Sequence, residues 1–130
     1  MMRLHHIGIF VNDLDAVEEF FIKLFPGAES YEPYANLRTG FTSWKLLLPD
    51  GSRLELMHKE NLASIVPDAS FGLAHLSFAV GTEAAVDEMV TRLGNLGAKV
   101  VDGPRLTGDG YYELKAFGPE NIVLEFCARD

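Results

Sequence analysis

The chain has 130 residues, 48% of them hydrophobic, which suffices for one compact unit with its own core but is short for two independent domains of ordinary size. Its formal net charge of −8 argues against nucleic-acid binding, because phosphate neutralisation needs clustered cations and the 11 Lys and Arg residues are scattered. With no signal-peptide pattern, no apolar run near the roughly 20 residues of a membrane span, and Cys127 as the only cysteine, the chain is expected to be soluble, cytoplasmic and free of disulfides.

The first predicted elements are a strand and a helix. Leu4 to Val11 is a short apolar run that suits a buried strand, and Asn12-Asp13 after it suits a helix N-cap. Apolar residues then recur every three or four positions until Pro26-Gly27 ends the pattern: Leu14, Val17, Phe20, Phe21 and Leu24. Three more strands are predicted after the helix, with a turn at 49–52 before the last: Ala28–Tyr34, Phe41–Leu48 and Arg53–His58.

The second half of the chain shows the same plan. Leu73–Val80 is predicted as a strand, and a helical stripe ended by Gly94–Gly97 follows it: Val86, Met89, Val90 and Leu93. Strands are again predicted after the helix: Ala98–Asp102, Tyr111–Phe117 and Asn121–Cys127. We therefore predict an α+β fold of paired βαβββ modules in one domain, with the modules at about 3–59 and 73–128 and a linker at about 60–72.

Matching residues indicate that the two halves are a duplication. His6 corresponds to His75 at an offset of 75 minus 6, or 69, and Glu55 corresponds to Glu125 at an offset of 125 minus 55, or 70. In each half the matching segment begins with the histidine and ends with the glutamate. A duplicated module places equivalent residues about a pseudo-twofold axis, so two His and two Glu could converge into a site with mixed nitrogen and oxygen donors.

Each of these residues also has a purely structural interpretation. A single His on an apolar strand is more often a hydrogen-bonded core residue than a metal ligand. The glutamates are harder to explain in that way, because regular alternation puts Glu55 on the face of Met57 and Glu125 on the face of Cys127. A carboxylate without a partner is costly to bury there, so the set of four favours a divalent metal.

These residues occur in segments that resemble the vicinal oxygen chelate superfamily, which includes glyoxalase I, fosfomycin and bleomycin resistance proteins and extradiol dioxygenases. The resemblance covers nearly the whole chain and rests on four segments: His6–Leu14, Leu54–Leu56, Gly72–Phe78 and Gly118–Phe126. It implies two curved sheets that form an open cup around one divalent ion. The ligand order His6, Glu55, His75 and Glu125 is that of glyoxalase I, and the ion would be Ni, Zn, Co, Mn or Fe. At 118–121 the chain departs from the usual Asp-Pro-Asp/Glu-Gly turn, but Asn121 tolerates the same left-handed backbone.

The resemblance also implies a function. A glyoxalase I-like protein is a metal-dependent lyase or isomerase of the carbon–sulfur lyase type, as in lactoylglutathione lyase. In it the metal stabilises an enediolate while a carboxylate moves a proton between adjacent carbons; Glu125 is favoured over Glu55 for that role. A small-molecule binding or resistance protein, an epimerase and a dioxygenase remain alternatives. The expected partners are a small-molecule substrate and a second copy in a homodimer, not nucleic acid or membrane.

Further residues are candidates for substrate binding. Trp44 is expected either to line the cup or to pack in the core. Tyr111, Tyr112 and Glu113 follow a glycine-rich loop near the expected mouth of the cup, where they either clamp the substrate or form an ordinary hairpin. His5 should point away from His6 in a regular strand. No basic cluster that would bind the carboxylates of glutathione is visible, so the sequence leaves the thiol and the substrate open.

Overall fold

A computed structural model describes residues 1–31, 33–64 and 66–129 and divides the chain into two units, Met1–Ala63 and Ser64–Asp130. In the first unit the elements are β1 (Ile7–Phe10), α1 (Leu14–Leu24), β2 (Glu29–Ser30), β3 (Tyr34–Asn36), β4 (Phe41–Leu47) and β5 (Arg53–His58). In the second unit they are β6 (Leu76–Ala79), α2 (Glu83–Asn95), β7 (Lys99–Leu106), β8 (Tyr112–Phe117) and β9 (Val123–Cys127), with a 3₁₀ turn at Pro119–Asn121.

The first unit is one open mixed sheet packed against one helix. The strand order is β1-β5-β4-β2, β3 also pairs with β4, and only the β1–β5 pair is parallel. Asp13 caps α1, since its carboxylate accepts a hydrogen bond of 3.0 Å from the Ala16 amide. The apolar stripe of α1 packs on β4 and β5, and together they form a fully buried core that includes Val17, Phe21, Leu24, Leu46 and Leu56.

The second unit repeats this arrangement. The strand order is β6-β9-β8-β7, and only the β6–β9 pair is parallel. Thr82 caps α2 by accepting a hydrogen bond of 3.1 Å from the Ala85 amide. The buried residues that join helix and sheet are Val86, Met89, Leu93, Leu114, Ala116, Leu124 and Phe126. The predicted α+β class is therefore confirmed, with two βαβββ units in which β2 and β3 of the first unit share the place of β7 in the second.

Several details differ from the sequence prediction. The strand expected at Ala28–Tyr34 is divided into the two short strands β2 and β3, and Val90 of the predicted helical stripe is 39% exposed. The register between β7 and β8 shifts twice, between Val100 and Asp102 and between Asp102 and Arg105. Pairing with β8 continues past these bulges, and β7 ends at Leu106, beyond the expected end of the strand.

The turn before β9 has the predicted backbone. Asn121 has a φ of 61°, in the left-handed region, as expected for the residue in the usual glycine position. Glu120 is left-handed as well, with a φ of 54°. None of the described helices is both long and apolar enough to cross a membrane.

Candidate metal centre

The first unit brings His6 and Glu55 together through its parallel strand pair. Gly8 of β1 is in register with Glu55 of β5, so His6, which directly precedes β1, lies near the start of β5. His6 Nε2 is 3.3 Å from Glu55 Oε2. The Glu55 side chain is only 17% exposed, whereas the His6 ring is 46% exposed. The carboxylate therefore lies within the sheet surface, and the imidazole covers one side of it.

The second unit contains an equivalent pair. Ser77 of β6 is in register with Glu125 of β9, and His75 directly precedes β6. His75 Nε2 is 3.3 Å from Glu125 Oε2, with side-chain exposures of 41% and 17%. The distance and the burial of the carboxylate are those of the first unit. Each module thus builds the same two-residue arrangement from the residue that directly precedes its first strand and a residue of its last strand.

This arrangement fits two ligands of one divalent ion. Two ligand atoms that each lie about 2.1 Å from an ion are about 3.3 Å apart when the angle between them is roughly 100°, which is between the tetrahedral and octahedral values. An imidazole nitrogen and a carboxylate oxygen also suit Zn, Ni, Co, Mn or Fe. The structure brings together the two residues of each pair; within residues 1–31, 33–64 and 66–129 it forms no group of three or more His, Cys, Asp or Glu side chains that could hold a metal.

His5 contacts the first pair, which strand alternation did not predict. Its Nδ1 is 2.9 Å from Nδ1 of His6, and one of the two nitrogens donates. Alternation fails here because β1 begins only at Ile7, so His5 and His6 belong to the segment before the strand. A partner on the second ring nitrogen fixes the orientation of a metal-binding imidazole, and His5 supplies one for His6.

Lysines opposite the two glutamates are a further feature that the sequence pattern did not reveal. Lys45 of β4 is in register with Glu55, and Lys115 of β8 is in register with Glu125. Lys115 Nζ donates to Asp68 Oδ2 over 2.7 Å. The signal that could have found them is the offset of 70, which relates the two lysines as it relates the two glutamates.

Glu113 lies on the same sheet face as Glu125. It is two positions from Lys115 along β8, and Lys115 is the residue opposite Glu125. Burial, together with the negative charges of Glu125 and Asp109, raises the pKa of the Glu113 carboxyl above its ordinary value. The second unit therefore has an additional carboxyl group near its candidate ligands, whereas Ser43 occupies the equivalent position of the first unit.

The other candidate substrate-binding residues lie elsewhere. Trp44 and Tyr112 are on the helix-facing sides of their sheets, because they lie one and three positions along the strand from Lys45 and Lys115, the residues opposite the two glutamates. Trp44 Nε1 donates to Asp15 Oδ1 of α1 over 3.1 Å and borders a shallow depression of about 430 Å³ at the start of that helix. The Tyr112 hydroxyl donates to Asp87 Oδ1 of α2 over 2.6 Å.

Tyr111 is 38% exposed, and the Arg129 guanidinium lies 4.5 Å from its ring centroid. The structure thus places neither Trp44 nor Tyr112 on a face that carries a candidate ligand. Of the four predicted substrate-binding residues, Glu113 alone shares a sheet face with one of the candidate ligands.

Comparisons with protein families, protein sequences and solved structures agree with one another. The model of the Glyoxalase/Bleomycin resistance protein/Dioxygenase superfamily matches residues 3–126. The uncharacterized protein YqjT of Bacillus subtilis (strain 168) is 29% identical in an alignment of 130 positions that covers 96% of this chain and 98% of that protein.

Solved structures with the same fold include a glyoxylase/bleomycin resistance protein/dioxygenase domain from Frankia sp. EAN1pec. Its TM-score is 0.81 at 20% identity, and the superposition covers 98% of this chain and 91% of that one. A mutant of the fosfomycin resistance protein FosX from Listeria monocytogenes, complexed with Mn(II) and 1S,2S-dihydroxypropylphosphonic acid, has a TM-score of 0.74 at 18% identity. It covers 100% of this chain and 92% of that one. At these identities the structures establish the fold alone.

Proposed function

Because the chain belongs to the glyoxalase/bleomycin resistance protein/dioxygenase superfamily, we propose that it is a metal-dependent lyase or isomerase of glyoxalase type that acts on a small oxygenated substrate. One divalent ion, Ni, Zn, Co, Mn or Fe, would be held by His6, Glu55, His75 and Glu125. The observation that carries the proposal is the His–Glu pair at 3.3 Å that each unit repeats, with the glutamate 17% exposed in both. Partial burial of each carboxylate beside an imidazole favours a bound cation.

When bound, such an ion acts as a Lewis acid on two neighbouring substrate oxygens and stabilises the negative charge that develops beside a carbonyl. The residues of the chain supply the proton transfer. The Glu125 carboxylate accepts a proton from the carbon next to the carbonyl and returns it to the adjacent carbon. Glu125 is favoured over Glu55 because Glu113 provides a second carboxyl group on its sheet face, whereas the first unit has Ser43 at the equivalent position.

The metal content of the purified protein tests this proposal. Elemental analysis compares the wild type with His6→Ala, Glu55→Ala, His75→Ala and Glu125→Ala, and with Glu60→Ala as a control at an exposed position outside both pairs. Wild type and the control should hold about one ion per chain, and the other variants should lose it while circular dichroism shows that they remain folded. Two ions per chain, each lost only with its own pair, would refute the shared site. A protein that binds no divalent metal even after reconstitution would refute the proposed metal-dependent enzyme.

Catalysis is tested separately on the metal-loaded protein. The hemithioacetals of methylglyoxal with several thiols are incubated in D₂O, and proton exchange and product are followed by NMR. Isomerisation by the wild type that Glu125→Gln abolishes supports the lyase assignment. A loaded protein that binds these compounds without converting any of them is instead a metal-bearing binding protein.

A further inference from the structure

A lysine lies directly across from each candidate metal-binding glutamate. Lys45 is in register with Glu55, and Lys115 is in register with Glu125. Residues directly opposite each other on an antiparallel strand pair share one face, with Cβ atoms about 4.5–5.5 Å apart. Each unit therefore carries a cation beside its candidate metal-binding glutamate.

The two lysines differ in their partners. Lys115 is 24% exposed, and Asp68 neutralises it at 2.7 Å. Lys45 is exposed, and its ammonium group has no carboxylate within 4.0 Å in the part of the chain that the structure describes. Glu55, its cross-strand neighbour, is paired with His6 instead. Of these two lysines, Lys45 is therefore the one whose ammonium group is available for a ligand.

Lys45 does not lie on an edge strand of its sheet. Lysines are common on edge strands, where their charge prevents pairing with another chain. β4 is not an edge strand, because β5 lies on one side of it and β2 and β3 lie on the other. Protection of a sheet edge does not account for this cation.

From these observations we propose that Lys45 binds a carboxylate of the substrate, one that is additional to the two oxygens presented to the metal. The inference rests on the proposed function. Two glutamates cancel the charge of a divalent ion, and the chain has a net charge of −8, so an anionic substrate needs a local cation. One unpaired ammonium group matches the single charge of a carboxylate. Lys115 cannot serve in the same way, since Asp68 already neutralises it.

Calorimetric titration of the Mn²⁺-loaded protein tests this assignment. Lactate offers a hydroxyl and a carboxylate to a metal, whereas malate and 2-hydroxyglutarate carry one more carboxylate at two different distances. Wild type should bind at least one of the two dicarboxylates about tenfold or more tightly than lactate, as expected for a charge-assisted contact. Lys45→Met should abolish this preference, and Lys45→Arg should retain most of it. Lys115→Met, the matched variant of the second unit, should leave the preference within about twofold.

The outcomes separate this inference from the proposed function. A wild type that holds no metal refutes the proposed function and removes the inference with it. A loaded wild type that prefers neither dicarboxylate, or a loaded Lys45→Met protein with unchanged preference, overturns the role of Lys45 alone. A Lys45→Met protein that no longer holds Mn²⁺ also overturns it, because the lysine would then act on the metal ligands and not on the substrate.

Discussion

Replacement of Gly103 by alanine should destabilise the second unit strongly. Gly103 lies within the second register shift of β7, between Asp102 and Arg105, and has a φ of +78°, in the left-handed region. A Cβ atom at this position would be 2.5 Å from the carbonyl oxygen of Glu113, 3.1 Å from the amide nitrogen of Arg105 and 3.2 Å from Cα of Leu114. All three are backbone atoms, so no side chain can rotate away to relieve the contact.

The expected cost has two parts. The left-handed conformation of a residue with a Cβ costs about 1 kcal/mol. Displacing the β8 backbone to make room costs roughly 2 kcal/mol more, as for other overpacked sites. We therefore expect Gly103→Ala to lower the free energy of unfolding by about 3 kcal/mol, which for a chain of this size corresponds to a loss of about 10 °C in Tm.

Gly97 provides a matched control, since it has a φ of +81° and, apart from its chain neighbours, no heavy atom of the described residues lies within 4 Å of the point that a Cβ would occupy. Gly97→Ala should cost only the conformational part, about 1 kcal/mol. Urea unfolding should be followed by circular dichroism, because the single tryptophan, Trp44, lies in the other unit. Equal losses of stability in the two variants would refute the argument from the backbone contact.

Three further predictions concern single side chains. Tyr112→Phe removes the hydrogen bond to Asp87 and should lower the free energy of unfolding without changing the metal content; a loss of metal would contradict its place on the helix-facing side. The pKa of Glu113 is raised in the folded state, so the stability it contributes is fully present below the ordinary value of 4.5 and is lost as the pH rises through the raised pKa. Glu113→Gln should therefore have a higher Tm than wild type at neutral pH, and the gap should close on acidification; a gap that is constant with pH would contradict this. Hydrogen bonds from Ser52 lower the pKa of Asp50, so its contribution is present above 3.8 and is lost as the pH falls through the lowered pKa. The Tm of Asp50→Asn should accordingly fall less steeply than that of wild type in this acidic range, and parallel pH profiles would count against the assignment.

Local patterns in the sequence were sufficient to predict the helices. The recurrence of apolar residues and the N-cap at Asp13 are properties of neighbouring residues, and α1 begins at Leu14 as they require. The same holds for Asn121, whose left-handed backbone follows from its place in a short turn. The duplication added the correspondence of His6 with His75, which remains a prediction as a shared ligand set.

Features that depend on strand register could not be read in this way. Whether Trp44 faces the helix or the opposite side depends on which residue of β5 it pairs with, and a shift by one residue would reverse the answer. The contact between Lys115 and Asp68 joins positions 47 apart in the chain. The bulges around Gly103 arise from close approach of two backbones, which no periodicity of side chains records.

The parallel pairing of the first and last strands in each unit also has a consequence for folding kinetics. Ile7 pairs with Leu54 and Leu76 pairs with Leu124, so the chain must close loops of 54 minus 7, or 47, and 124 minus 76, or 48, residues. Such contacts of high sequence separation slow folding, because the entropy of loop closure is lost before the contact stabilises anything. During synthesis β1 has no partner strand until β5 has left the ribosome. Each His–Glu pair therefore depends on the strand pairing of greatest sequence separation in its unit, and it exists only while that pairing is intact.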